Sequence, residues 1–318
     1  MPESAPPRLD VFILSYNRAA YLRETLECFF NQTFKDFRLT VLDNASTDDT
    51  ATVVAALQRE HDFTFAPAPE NIGVFRNFLR IRELARAPWV MAFHDDDLLH
   101  PRALELAFAA LERHPQATLC AMNYKGVLDP SLAQFDPEPD GADYRLLEDR
   151  AHFAAFCCTD NTLAFASCLY RSENFRALDF DDQPFGKLWD RPAMIEALGT
   201  GQAVVFNPVL VLYRLHAGQD SVTSSSGPFL DNALALQAYY ARHTGTSWKT
   251  SSGRCFVINN RAVLKSFYKW CSDRGKMSFT AFVRQARRQG AATWFSFVPR
   301  PLARLLKKWY RRRDPRFF

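Results

Sequence analysis

Trp89-Val-Met-Ala-Phe-His-Asp-Asp-Asp97 is an apolar run of strand length that delivers one histidine and three consecutive carboxylates to a single point. Adjacent carboxylates repel one another and are costly to bury without a cation. A hard divalent ion with oxygen ligands, Mg²⁺ or Mn²⁺, resolves that cost and can bridge to phosphates. The blander reading is a solvated acidic turn, since Leu98-Leu-His-Pro101 leads into an Ala/Leu-rich helical stretch. Short motifs misfire often, and this stretch alone leaves both readings open.

Its surroundings narrow the choice. Leu9 to Tyr16 reads as a buried strand and 19–31 as a helix; Arg38 to Asp43 and Asp48 to Glu60 repeat the pair, with Ser46 and Thr47 near the second helix cap. Phe63 to Ala66 fits a short strand, Phe75 to Leu84 a helix and Val90 to Phe93 the next strand. This alternation predicts right-handed βαβ units and a mostly parallel sheet, whose ligands collect beyond the carboxyl ends of the strands. Ser15-Tyr-Asn-Arg18, Asp43-Asn-Ala-Ser46 and the three aspartates all fall there. Downstream, 117–124, 163–170 and 203–212 read as strands, 129–143 as a loop and 220–228 as a Ser-rich mobile loop, with helix dominant from Phe229.

At 318 residues, with 47% hydrophobic and 23% charged content, the chain suits a folded protein with an ordinary core. Seven cysteines without a CxxC pair favour packed free thiols in a reducing cytoplasm. No apolar run approaches a bilayer span and the first residues lack a secretory pattern, so the expected location is cytoplasmic.

The stretches Ile13-Leu-Ser-Tyr-Asn-Arg18, Val41-Leu-Asp-Asn-Ala-Ser-Thr-Asp-Asp-Thr50, Glu70-Asn-Ile-Gly73 with Asn77, and Phe93-His-Asp-Asp-Asp97 together resemble glycosyltransferase family 2. Phe185-Gly-Lys-Leu-Trp-Asp190 and Tyr213-Arg-Leu-His216 with Gln219 resemble its later blocks more loosely, and the last hundred residues carry no match. The resemblance implies an α/β GT-A fold: a Rossmann-like, mostly parallel sheet flanked by helices, with a helical C-terminal extension. It implies a catalytic domain over 1–228, with a nucleotide-sugar half at about 9–125 and an acceptor half at about 126–228. Residues 229–318 would form a separate helical region.

The implied activity is inverting transfer of a single sugar from a nucleoside-diphosphate sugar to a hydroxyl of a glycan or lipid-linked acceptor. A UDP-sugar is the first choice of donor, with dTDP- and GDP-sugars as alternatives. Asp43 would accept from the base, Tyr16 would pack near it, and Asn17 or Arg18 would approach ribose or diphosphate. Ser15, Asn44, Asn71 and Gly73 complete the expected donor site, with Arg76 on the phosphates and Asp95 toward the ribose. Asp96, Asp97 and His216 are the expected ligands of Mg²⁺ or Mn²⁺. Counting back from Pro101 favours Asp96, while His94 stands where many relatives place an aspartate. Asp190 is the expected base, against a plain helix-cap reading, with Asp181 and Asp182 as fallbacks that more often mark a turn. Ser221 to Ser226 would be a flap or merely a linker. A Gln-x-x-Arg-Trp element is absent, which points away from polymer extrusion.

The segment 299–318 carries eight Lys or Arg against one Asp, and Leu302, Leu305, Leu306 and Trp309 recur at helical spacing. This basic amphipathic pattern suits contact with an anionic membrane, at the cytoplasmic face of an inner membrane, or packing on the catalytic domain. One basic patch without a reading module argues against nucleic acid. Two other classes compete: a sugar nucleotidyltransferase, and a non-catalytic nucleotide-binding peripheral membrane protein. The first would normally show a Gly-rich phosphate loop, and Ser15-Tyr-Asn-Arg18 has no glycine.

Overall fold

Strand β1 (Leu9–Ser15) is apolar at nearly every position because both of its faces are covered, the signature of an inner parallel strand. It pairs in parallel with β2 (Phe37–Asp43) on one side and with β4 (Trp89–His94) on the other. Helix α1 (Ala19–Phe30) connects β1 to β2, α2 (Thr50–Leu57) precedes the short β3 (Thr64–Phe65), and α3 (Val74–Leu84) leads into β4. This computed structural model describes residues 6–158, 163–179, 181–216, 229–247, 249–257, 259–260, 264, 268, 278–292, 305 and 308–309.

The sheet runs β3-β2-β1-β4-β8-β6-β9-β5, with β7 (Tyr144–Leu147) also against β9. Its first four strands are parallel; β8 (Cys168–Arg171) then runs antiparallel to both β4 and β6 (Ala117–Val127). β9 (Gln202–Arg214) is parallel to β6, and β5 (Leu98–Leu99) closes the edge. The expected α/β class forms; the sheet expected to be mostly parallel is mixed, with β8 and β5 antiparallel to their neighbours. Pro208 lies inside β9, because the β6–β9 register slips between Ala121 and Asn123 and that irregularity needs no ladder donor at the proline. Asn123 donates to the Asn207 carbonyl at 2.6 Å to hold the slip.

Several expectations change. The second helix starts at Thr50, and Ser46 and Thr47 do not cap it: Asp49 is its cap residue and makes no side-chain bond. Ser46 turns back to Asp43, and the Thr47 N–H donates to Asn17 Oδ1 at 2.7 Å. Residues 165–167 form a 3₁₀ turn before β8, with Ser167 folded onto the Ala164 carbonyl, so the strand expected from 163 is shorter. Helix α4 (Ala103–Arg113) follows the acidic turn as expected, whereas α5 (Arg150–Cys157), with Asp149 as N-cap, and the five-residue α6 (Ser172–Arg176) carried too little pattern to stand out.

The chain divides into two compact units: one of 1–146, 163–178 and 197–217, the other of 147–162, 179–196 and 218–318. Helix α5 and the described residues of 179–196 therefore group with C-terminal helices. In the second unit, α7 (Asp190–Leu198) is tied to α5 and to α8 (Phe229–Thr244) through Glu196, which accepts from Arg150 at 3.0 Å and from the Tyr239 hydroxyl at 2.5 Å. Helix α9 (Phe279–Arg288) buries Phe282 and Ala286 with Leu230, Leu234 and Leu264.

The core of the first unit also buries a carboxylate in the middle of a strand, away from the loops at the carboxyl ends. Asp10, within β1, accepts from the backbone N–H groups of Arg86 (2.6 Å) and Ala87 (2.8 Å) and pairs with Arg38 at 2.7 Å. It pins the α3–β4 connection to the centre of the sheet. Asp10→Ala orphans two backbone donors, and denaturant unfolding should show a loss of roughly 2–4 kcal/mol; a change below about 0.5 kcal/mol would remove this role.

Candidate active site

The carboxyl ends of β1, β2 and β4 bring three loops together. After β1, Asn17 adopts a positive φ of 52°. Its N–H donates to Ser46 Oγ at 2.8 Å, which locks the first loop to the second. Ala45, in the second loop, also has positive φ (61°), a conformation that costs an L-residue about 1 kcal/mol or more and persists where surrounding bonds over-determine it. The determinant is Asp43, whose carboxylate accepts from both the N–H and the hydroxyl of Ser46. Asn44 continues the chain of bonds: it donates to Asn71 Oδ1 at 2.9 Å and accepts from the Ile72 N–H at 3.0 Å, while Asn71 Oδ1 also takes the Gly73 N–H. Gly73, with φ 82°, turns the chain into α3.

Ser15, Tyr16, Asn17, Arg18, Asp43, Asn44, Asn71 and Gly73 thus lie along this set of loops. Ser15 and Asp43 are buried, and the Tyr16 side chain is exposed at the surface. Arg76 is exposed on α3 and makes no hydrogen bond or ion pair among the described residues. One turn later, Arg80 reaches inward instead. It donates to the Asp43 carbonyl (3.2 Å), the Ala66 carbonyl (2.8 Å) and Asn77 Oδ1 (2.9 Å), joining the ends of β2 and β3 beneath the Asp43 carboxylate. In the sequence, the one mark of Arg80 is its spacing from Asn77 on a shared helix face.

Asp95, Asp96 and Asp97 are each at most 3% exposed. The Tyr16 N–H donates to Asp95 Oδ2 at 3.1 Å. Arg18 bonds Asp96 directly and lies 3.6 Å from Asp95. From the far end of the first unit, His216 places Nε2 2.9 Å from the same Asp96 oxygen, with its ring 5.1 Å from that of Tyr21. Arg214, two residues earlier, is an unanticipated support. Its N–H donates to Asp97 Oδ1 and its Nε to the Asp96 carbonyl, both at 2.9 Å; its Nη2 reaches Glu24 at 2.6 Å, and the guanidinium sits 4.6 Å over the Tyr21 ring. An arginine at a strand end, two residues before a motif histidine, was the only hint in the sequence.

His94 lies 3.4 Å from Asp97 Oδ2, an oxygen that is buried without a hydrogen-bond partner. Ligand-capable atoms of His94, Asp96 and Asp97 fall within 4.8 Å of one another. An orphaned carboxylate oxygen beside a second carboxylate and an imidazole fits a divalent cation, and mixed oxygen and imidazole donors suit Mn²⁺. His94 was not among the expected ligands, yet it belongs to this cluster; His216 approaches through Asp96.

Asp190 opens α7 in the second unit, with Arg191 Nε 3.8 Å from its carboxylate. Asp181 and Asp182 form a turn, in which Asp181 accepts from Gln183 N and the Asp182 carbonyl from Phe185 N. Residues 221–226, the expected flap, lie outside the described residues, as does most of 299–318.

Burial, then the charge of Asp96, raises the Asp95 carboxyl from 3.8 to about 7. Burial likewise raises Asp97. For His94 burial opposes the charge, but Asp97, Asp96 and Asp95 outweigh it and raise the imidazole from 6.5 to about 9. The folded chain therefore holds the Asp95 proton more tightly than the unfolded chain, and stability falls as pH climbs from 3.8 through about 7. The His94 contribution is complete below 6.5 and is lost through about 9, so both groups act in the same sense. With a chelator present, the melting temperature should decline between about pH 5 and about pH 9, and Asp95→Asn should flatten the acidic half of that decline. A wild-type profile that rises with pH would show that other groups govern the site.

Residues 10–173, just over half of the 318, match a family model described as glycosyl transferase family 2. Abequosyltransferase RfbV of Salmonella typhimurium is 26% identical over 185 residues, covering 55% of this chain and 56% of that protein. Rv1520, an uncharacterized protein of Mycobacterium tuberculosis, is 31% identical over 116 residues, covering 35% and 34%. The chain thus spans between a third and just over half of these two relatives. S. aureus TarS 1-349, solved in complex with UDP-GlcNAc, superposes with a TM-score of 0.59 at 14% identity over 96% of this chain and 92% of that one. A mannosyltransferase, PcManGT from Pyrobaculum calidifontis, in complex with GDP-Man and Mn²⁺, gives 0.52 at 15% identity, covering 96% and 84%. At such identities the likeness establishes the fold, which is the GT-A arrangement.

Proposed function

The chain belongs to glycosyltransferase family 2, and from that premise we propose that it transfers one sugar from a nucleoside-diphosphate donor to a hydroxyl of a glycan or lipid-linked acceptor, inverting the anomeric centre. The observation that carries the reading is the buried acidic turn, where Arg18 and His216 converge on Asp96 beside the Asp43–Ser46 loop. Donor complexes of structures with this fold contain UDP-GlcNAc and GDP-Man, which supports a nucleotide sugar here; a UDP-sugar is the first donor to test, with dTDP and GDP next.

In this reading Asp43 presents its carboxylate to the base, held in place by Ser46 and supported from below by Arg80. Tyr16 offers an exposed ring to the base, and the Arg18 guanidinium serves the diphosphate. Asp96, with Asp97 and either His94 or His216, would hold Mg²⁺ or Mn²⁺, which when bound neutralises the departing diphosphate. Asp190 is the group assigned to take the proton of the incoming hydroxyl, the role that an inverting displacement gives to a carboxylate base.

The acceptor class suggests work at the cytoplasmic face of a membrane. No helix among the described residues is long and apolar enough to span one. The basic segment 299–318 supplies a peripheral contact, and its described apolar residues, Leu305 and Trp309, are exposed.

Asp96→Ala should lower release of nucleoside diphosphate from the true donor by roughly 10²–10⁴-fold, the equivalent of several kcal/mol of charge stabilisation. Undiminished turnover of the wild-type protein in EDTA would remove the cation from the scheme. Asp190→Asn should leave donor affinity within about twofold while transfer falls roughly 10²–10⁴-fold. If that variant transfers normally, the base is a different group.

A further inference from the structure

Helix α9 (Phe279–Arg288) has two unlike faces. Phe282 and Ala286 point into the small core shared with Leu230, Leu234 and Leu264. The other side carries Arg284, Arg287 and Arg288, all exposed, around a shallow depression of about 450 Å³ that Phe279, Thr280 and Val283 also line. Phe279 is 51% exposed, so an aromatic ring stands at the margin of the guanidinium cluster. Among the described residues no carboxylate lies within ion-pair distance of Arg284 or Arg288; the nearby acid, Asp231, accepts from Gln285. Arg284 and Arg288 lie four residues apart on this face, and like charges at that spacing repel one another unless an anion lies against them.

The charge and the apolar margin together select the anion. Guanidinium forks match the two free oxygens of a phosphodiester. An exposed phenylalanine and a half-buried valine beside them match the boundary between headgroups and acyl chains, where amphipathic helices of this composition lie. We propose that the exposed face of α9 is a docking surface for an anionic phospholipid bilayer, distinct from the basic segment 299–318 and independent of whether the sugar-transfer reading holds. Arg284, Arg287 and Arg288 contact the headgroups and Phe279 enters the interface. Each basic side chain near an anionic leaflet contributes about one kcal/mol, so three together amount to an effect on the order of 100-fold in partitioning.

The test is co-sedimentation of the full chain with vesicles of phosphatidylcholine mixed with phosphatidylglycerol, against phosphatidylcholine alone, at low and high salt. The wild-type protein should prefer the anionic vesicles, and salt should weaken the preference. Arg284→Gln/Arg287→Gln/Arg288→Gln should reduce binding by on the order of 100-fold while the melting temperature and donor binding hold. Phe279→Ala should reduce it by roughly fivefold in a way that salt does not mimic. A second full-length variant, with the Lys and Arg of 299–318 changed to Gln, should keep a vesicle affinity that the α9 substitutions then abolish. Should the triple variant fold poorly, the single changes Arg284→Gln and Arg288→Gln carry the test, each expected to weaken binding several-fold. The proposal is overturned if α9 variants bind as wild type, if neutral vesicles bind equally well, or if an RNA oligonucleotide competes fully with the vesicles.

Discussion

Asp95, Asp96 and Asp97 are almost wholly removed from water, so the protein itself must supply the screening that solvent would otherwise give. The fold does this with groups drawn from distant parts of the first unit. Arg18 comes from the loop after β1 and His216 from just beyond β9, and they meet on one Asp96 oxygen. Arg214 closes the turn from behind, bonding the Asp97 carboxylate and the Asp96 carbonyl, while Thr25 on α1 donates to the Asp97 carbonyl at 2.9 Å. Removing any one partner would leave a buried charge uncompensated, which costs far more than an intact pair contributes. The order of strands therefore serves the site: β1 and β4 must be neighbours, and β9 must end beside β5, or these charges cannot meet.

The same logic separates two kinds of aspartate. Asp97 is bonded through one oxygen and through its backbone, which makes it a wall of the turn as much as a ligand. Among the described residues the Asp96 carboxylate is approached by Arg18 and His216, and Asp95 carries a backbone N–H from Tyr16. Position along three consecutive identical residues thus decides their roles, through what each can reach.

Much of this was legible beforehand. The strands β1, β2 and β4 are short apolar runs bounded by polar clusters, and their carboxyl ends coincide with the loops that carry Tyr16, Asp43 and Asp96. Local pattern suffices where an element is buried on both faces. It failed where elements were brief or partners remote. Two-residue β5 and eight-residue α5 have no period long enough to register. Arg76 and Arg80 sit four residues apart on α3 and look equivalent in sequence. Only the approach of the Asp43 and Ala66 carbonyls makes Arg80 the inward one. Arg214 reads as a surface charge until β9 is known to lie against β5 and the acidic turn. Arg150 and Tyr239 carry no sign in the sequence that both will bond Glu196.

The acidic turn and the arginines of α9 ask opposite things of an anion. The acidic turn repels a diphosphate by itself, so any affinity it has for one depends on what neutralises Asp96 and Asp97. In the proposed docking, the arginines of α9 attract a phosphate with a strength set by salt. A protein built this way would let its surface meet an anionic headgroup whether or not a donor is present, while donor binding waits on the cation. Attachment and chemistry would then respond to different solution variables: ionic strength for α9, and metal availability together with pH for the turn. Such independence follows from where the carboxylates are buried and the guanidinium groups are not, and it requires no communication between the two units.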